Sequence, residues 1–203
     1  MNILLVAATS RELIRNQIHD LTLNLKSPKS IDILITGIGI PNTILSLTNY
    51  LARNDVDFLI NIGVCGSFSR KIPVGSVVEV VQDEFSEIGY EEDNLFTQFN
   101  KKYNIQTSFK SNKITNLISA NAITVNTVHG NEKSIKRVCD RFNPDVESME
   151  GAAFMMVSNY YNKPCLQLRG VSNFIEKRNR EAWNINLAVE NSNKELYDII
   201  CEL

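Results

Sequence analysis

The chain opens on an unbroken apolar run, Asn2-Ile3-Leu4-Leu5-Val6-Ala7-Ala8. A run of strand length without polar alternation is what a strand buried on both faces requires. Leu13, Ile14, Ile18 and Leu21 follow at helical spacing, and Thr9 with Glu12 has the spacing of a capping box. Ile31–Thr36 is a second apolar strand, and a helix runs from Pro41 to about Arg53 after a Gly37-Ile38-Gly39 turn. Phe58–Ile62 reads as a third strand closed by a Gly63–Ser67 turn, and Ser76–Val81 as a fourth.

Asp83–Ser119 is the least apolar stretch and reads as a surface excursion with one or two short strands, its aromatics Tyr90, Phe96, Phe99, Tyr103 and Phe109 either docking it onto the core or lining a ligand's tail. Ala122–Val128 is strand-like, and Glu132–Arg141 is an amphipathic helix with Ile135 and Val138 inward. A short strand at Val146–Met149, a helix over Gly151–Tyr161 and a buried strand over Pro164–Val171 follow. Trp183 and Leu187 then lead a final helix that carries Leu196 and Ile199. Strands alternating with helices predict an α/β fold: one domain over residues 1–203, with a central mixed, largely parallel twisted sheet flanked by helices.

Composition narrows the function classes. At 203 residues, 43% hydrophobic and 22% charged, the chain has ordinary globular composition. A net charge of −2 gives no reason to expect nucleic acid or an anionic membrane as partner. Cys65, Cys139, Cys165 and Cys201 are widely spaced, which suits free thiols in a reducing compartment. The apolar run at residues 2–8 lacks the length and basic flank of a secretory leader, and none approaches the ~20 residues of a membrane helix. A cytoplasmic location is expected.

Several chemistries can be set aside. There is no Gly-x4-Gly-Lys-Ser/Thr loop and no Gly-x-Ser-x-Gly elbow. Gly37-Ile38-Gly39 lacks the third glycine of a dinucleotide fingerprint, since Asn42 stands there. His19 and His129 are isolated, outside any metal motif. The stretch that could carry chemistry is Val146–Asn173. Glu150 precedes a helix that starts on small residues, and Asn173 follows the next strand, so both fall at the carboxyl ends of strands, where α/β sheets bind ligands. Glu12, at the exit of the first strand, has two readings: it satisfies its own helix start, or it acts on a ligand. The glycines of Gly63-Val64-Cys65-Gly66 either make a sharp turn or let backbone approach a ligand closely.

Taken in order, these pieces form a pattern. The first strand leading to Glu12, the Gly37-Ile38-Gly39 turn, Asn61-Ile62-Gly63-Val64-Cys65-Gly66, Val146-Glu147-Ser148-Met149-Glu150-Gly151-Ala152-Ala153 and Arg169-Gly170-Val171-Ser172-Asn173 resemble the purine nucleoside phosphorylase/uridine phosphorylase superfamily over nearly the whole chain. The nucleosidase branch fits best, and the tail Ser172-Asn173-Phe174-Ile175 with Arg178-Asn179-Arg180-Glu181-Ala182-Trp183 resembles the futalosine hydrolases.

The resemblance implies the following roles. Glu150, with Met149 beside it, binds the ribose hydroxyls, and Glu12 orients or deprotonates a water. Cys65 and Gly66 sit beside the purine, and Asn173, with Ser172, handles purine N7. It further implies a small-molecule nucleoside as substrate, no metal or organic cofactor, and a homodimer or larger assembly. The methylthioadenosine/S-adenosylhomocysteine nucleosidases carry Asp after the serine, where this chain has Asn173. An acid can protonate N7, whereas an amide only donates hydrogen bonds, which suits N7 or O6 of a 6-oxopurine. The expected reaction is hydrolysis of futalosine to hypoxanthine and dehypoxanthine futalosine, a step of a menaquinone route. Three alternatives stand beside it. An adenine-releasing nucleosidase is opposed by Asn173. A 6-oxopurine nucleoside phosphorylase is opposed by Ala7-Ala8-Thr9-Ser10-Arg11-Glu12 where phosphorylases carry Gly-Asp-Pro-x-Arg. A non-catalytic nucleoside-binding protein is opposed by the presence of both Glu12 and Glu150. Arg169 is left with two uses, a substrate carboxylate or a buried ion pair with Glu147.

Overall fold

Alternate side chains of the first strand enter two different cores. In a computed structural model describing residues 1–14, 16–18, 30–93, 95–99 and 103–203, β1 (Asn2–Ala7) sends Leu4 and Val6 to one face and Ile3, Leu5 and Ala7 to the other. Both faces are covered, so the strand has no polar side. It lies between β2 (Ser30–Ile35) and β3 (Phe58–Ser67), parallel to both. Helix α1 (Ile40–Leu51) starts after Gly39 with a proline in its first turn, and closes the first core through Leu47 and Leu51.

The remaining elements are β4 (Val77–Phe85), the hairpin β5 (Gly89–Glu92) and β6 (Leu95–Gln98), β7 (Ser108–Lys110), β8 (Ile118–Thr124), α2 (Glu132–Phe142), β9 (Val146–Ser148), α3 (Gly151–Tyr160), β10 (Cys165–Phe174) and α4 (Ile185–Glu202). The main sheet runs β10-β4-β8-β9-β3-β1-β2, with β7 paired to β4. Strands β10 and β3 also pair, so β3, β10, β4, β8 and β9 form a closed ring from which β1 and β2 extend. The ring's interior cluster draws Cys65, Val78, Val80, Ala120, Ala122, Val146 and Val171 from all five of these strands. Most pairings are parallel; β10–β4, β3–β9 and β4–β7 are antiparallel. The mixed, largely parallel sheet expected from the sequence is therefore present, and it closes as well as twists.

Helix α3 is buried almost all round, from Gly151 to Ser158, and packs against α1. Helix α4 lies on β10, where a Cβ on Gly170 would come 2.2 Å from the Ala188 carbonyl oxygen. Helix and strand are thus in backbone contact at that point, fixing the entry of α4 beside the carboxyl end of β10.

Four sequence expectations are corrected. Gly63–Ser67 is not a turn: β3 continues through it, because β10 and β9 supply backbone partners on its two edges. Asp83 is fully buried in β4, which extends to Phe85, and Phe109 packs edge-on against Phe85 in the first core. The rest of the excursion is shallower, with Tyr90 and Tyr103 each against Phe99 and Arg141 over Phe96. Trp183 precedes α4, following a short 3-10 turn at Arg180–Ala182. The helix expected after Thr9 is set back: Ser10–Glu12 is a 3-10 turn, and residues 16–18 beyond it are helical, with the Ile18 N–H bonded to the Ile14 carbonyl at 3.2 Å; Leu21 and His19 lie outside the described residues.

Candidate active site

A cavity of about 450 Å³ opens where the carboxyl ends of β1, β3 and β10 meet the start of α3. Glu12, Cys65, Gly66, Met149, Glu150, Ser172 and Asn173 all line it, although they come from four separate stretches of chain. The wall is completed by residues that carried no role at a ligand in the sequence reading, among them Ile38, Val128, His129, Trp183 and Ile185.

Glu12 fits the first of its sequence readings and is placed where the second would need it. Its Oε2 accepts the Thr9 backbone N–H at 2.7 Å, as a helix-start carboxylate does, and the same side chain lines the cavity. Burial raises its pKa; the Thr9 N–H, the nearby Arg169 charge and the Val64 N–H oppose the rise, and Glu150 adds to it. Arg169 is itself buried, hydrogen-bonded to Asn61, and its Nε has no partner among the described residues. A Cβ on Gly63 would lie 2.6 Å from Arg169 Nη1 and 2.8 Å from Glu12 Oε1. The glycine therefore provides the space in which these two side chains approach. Arg169 does not reach the cavity, and Glu147 takes another partner, so neither sequence reading of Arg169 holds.

Glu150 stands just before α3 without capping it, and its side chain reaches across to the Gly37–Gly39 turn, where its Oε1 accepts the Gly39 N–H at 2.8 Å. Gly39 has φ +92°, a left-handed backbone that suits glycine and aims this N–H at the carboxylate. Beneath Glu150 lies a buried polar cluster. The Ala152 N–H donates to Thr124 Oγ1 at 2.7 Å, and Thr124 donates in turn to Asp83 Oδ1 at 2.8 Å. Gln167 Nε2 donates to Asp83 Oδ2 at 3.1 Å. A Cβ on Gly151 would stand 2.0 Å from Asp83 Oδ2 and 2.1 Å from Gln167 Oε1, so the helix can begin here only on a glycine. The cluster anchors the first turn of α3 and with it Glu150. Burial lifts Asp83 to about 6, against the hydrogen bonds from Thr124 and Gln167. Gln167 Oε1 is buried without a donor, which a protonated Asp83 can supply.

On the opposite wall, Ser172 Oγ lies 2.7 Å from Asn173 Oδ1, and Asn173 Nδ2 donates to the Phe174 carbonyl at 3.0 Å. With its oxygen satisfied by the hydroxyl, the amide keeps one N–H for the cavity. The missing Cβ of Gly66 makes room for Nδ2, which would lie 3.3 Å from it. Cys65 is a buried wall residue whose thiol is pushed up to about 12 by burial, so it is no nucleophile.

His129 is the main residue missed by the sequence reading. It looked isolated because its partner lies eighteen positions on: Glu147 accepts the His129 backbone N–H at 2.8 Å and meets the ring Nδ1 at 2.6 Å. Among the described residues no group of three or more His, Cys, Asp or Glu is placed to hold a metal ion. Chemically, the cavity offers two carboxylates on one side, an amide donor on the other, and apolar walls between.

The phosphorylase superfamily model matches residues 21–203, and the chain belongs to that superfamily. Among solved structures it is similar to the 5′-methylthioadenosine/S-adenosylhomocysteine nucleosidase from Helicobacter pylori with butyl-thio-DADMe-Immucillin-A, at 15% identity and TM-score 0.86 over 100% of this chain and 99% of that one. The native futalosine hydrolase of Helicobacter pylori strain 26695 gives 16% identity and TM-score 0.85 over 100% and 99%. The Neisseria meningitidis 5′-methylthioadenosine/S-adenosylhomocysteine nucleosidase in complex with methylthio-immucillin-A gives 16% and 0.81 over 100% and 99%. A search of curated proteins finds no match. At these identities the likeness establishes the fold.

The raised pKa of Asp83 sets a direction for stability. Between the ordinary carboxylate value of 3.8 and about 6 the folded protein holds a proton that the unfolded chain has released, so stability falls as pH rises through that window. Asp83→Asn removes this component. Thermal melts from pH 4 to 7 should show a shallower decline for the variant than for the parent, and equal slopes would contradict the assignment.

Proposed function

We propose that this protein is a hydrolytic purine nucleosidase that cleaves futalosine to hypoxanthine and dehypoxanthine futalosine. The carrying observation is the shared cavity: Glu12 and Glu150 face it from one side and the Ser172-held amide of Asn173 from another. The reaction breaks the bond from C1′ to the base and forms one from C1′ to a water oxygen. Positive charge develops on the sugar and negative charge on the base. Glu150, held by Gly39, binds the 2′ and 3′ hydroxyls and stabilises the sugar cation electrostatically. Glu12 receives the proton of the attacking water. The Asn173 N–H donates to N7 or O6 and stabilises the departing base, which finally takes up a proton from solvent.

The amide supports a 6-oxopurine over adenine, because it cannot deliver a proton to N7. Glu12 at the cavity wall supports water over phosphate, since a carboxylate there repels an anion. Arg11, which also lines the cavity, is the group a phosphorylase reading would need. The whole of residues 1–203 acts as one unit in this reading. A paired assembly belongs to it too: Ile38 lines the cavity yet is 56% exposed, and Ile33, Ile35 and Leu45 are exposed nearby in the chain.

Two expected outcomes test the chemistry. Glu12 must be ionised to accept the proton, so kcat/KM should fall as pH drops through a midpoint above the ordinary glutamate value of 4.5. Arg169→Gln removes a charge that opposes the rise, so its acidic limb should move to higher pH; an unmoved limb would separate Glu12 from the rate. Asn173→Asp should weaken hypoxanthine release by about tenfold or more, in line with loss of a transition-state donor, and admit adenine nucleosides. Unchanged base preference in that variant would refute the role given to Asn173.

A further inference from the structure

The position of His129 follows from strand register. Gly66 of β3 pairs with Asn173 of β10 on one side and with Glu147 of β9 on the other. Neighbouring strands stand about 4.8 Å apart, so Asn173 and Glu147 flank Gly66 at about 10 Å from each other. Glu147 is buried, and both of its carboxylate oxygens are taken by His129, one by the backbone N–H and one by ring Nδ1. The ring is further set edge-on to Phe68, with centroids 6.4 Å apart. It is thus fixed in place and lines the same cavity as Asn173.

A carboxylate at Nδ1 keeps the hydrogen on that nitrogen, so Nε2 of the neutral ring is a lone-pair acceptor. The hydrogen bonds of His129 among the described residues are made by its backbone N–H and by Nδ1, not by Nε2. A flat base lying across Gly66 would meet a donor at Asn173 and an acceptor at His129. The 6-oxopurines carry a hydrogen on N1 beside an acceptor O6, whereas adenine has a bare N1 beside a donor amine. We infer that His129, oriented by Glu147, is a specificity-determining residue that accepts the N1–H of a 6-oxopurine base, the second half of a base-reading pair with Asn173. This rests on the nucleosidase reading and deepens it: discrimination comes from two opposed polar groups, and Glu147 acts as a positioning residue through the histidine.

The test measures binding and turnover separately. Calorimetry with hypoxanthine, 1-methylhypoxanthine and adenine reports base recognition whether or not the protein is active. The parent should bind hypoxanthine about tenfold or more tighter than either of the others, the scale of a lost hydrogen bond to a buried polar group. His129→Phe, with folding checked by circular dichroism, should lose the distinction between hypoxanthine and its N1-methyl form. His129→Gln keeps an acceptor and should retain part of it. Glu147→Gln, which frees the ring, should weaken it without abolishing it. In turnover, His129→Phe should lower the kcat/KM ratio of futalosine to its adenine counterpart by a similar factor. A parent that does not distinguish hypoxanthine from 1-methylhypoxanthine, or a His129→Phe variant that still does, overturns the inference. Base discrimination lost in His129→Phe but with no nucleoside cleaved by the parent would uphold the base-reading pair and overturn the nucleosidase reading instead.

Discussion

The site depends on a strand with two side chains missing. Strand β3 is paired along both edges, to β1 and then β9 on one side and to β10 on the other, so it cannot bend away from its neighbours. Gly63 and Gly66 leave gaps in this rigid frame. Arg169 and Glu12 meet over the first, and Asn173 and Ile175 lie over the second. A Cβ at Gly63 would come within 3 Å of Arg169 and Glu12, and one at Gly66 within 3 Å of Ile175 and 3.3 Å from Asn173 Nδ2. The glycines thus serve as space between strands, and the chain between them presents Val64 and Cys65 to the cavity.

Around that frame each polar group is held by a partner within the protein. Glu12 is tied to the Thr9 N–H, Glu150 to the Gly39 N–H, Asn173 to Ser172 and Phe174, and His129 to Glu147. Each therefore offers a ligand a defined remaining atom, the preorganisation on which electrostatic stabilisation rests. Burying carboxylates beside one another is costly, and here the cost is offset locally. Backbone N–H groups and the buried Arg169 favour the charged form of Glu12, while the desolvation that raises its pKa suits it to take up a proton.

Much of this was legible in the sequence, for identifiable reasons. The apolar run of β1 and the small residues opening α3 announce burial on their own. Glu12, Glu150 and Asn173 were found because each stands at an element boundary, at the carboxyl end of a strand or the start of a helix. What could not be read depended on partners distant in the chain. The continuation of β3 through Gly63 and Gly66 is imposed by β9 and β10, and locally those glycines read as a turn. His129 acquires meaning only from Glu147, and Asp83 only from Thr124 and Gln167. A capping box at Thr9 explained Glu12 as well as a catalytic role did; its placement at the cavity shows that one side chain does the first and is available for the second.

The central claim is hydrolysis of a 6-oxopurine nucleoside at this cavity. The most direct measurement is release of free base by purified protein from futalosine, inosine and methylthioadenosine, each with and without phosphate. Hypoxanthine released from futalosine at a rate independent of phosphate is the predicted result. Adenine from methylthioadenosine, or release from inosine only when phosphate is present, would contradict it.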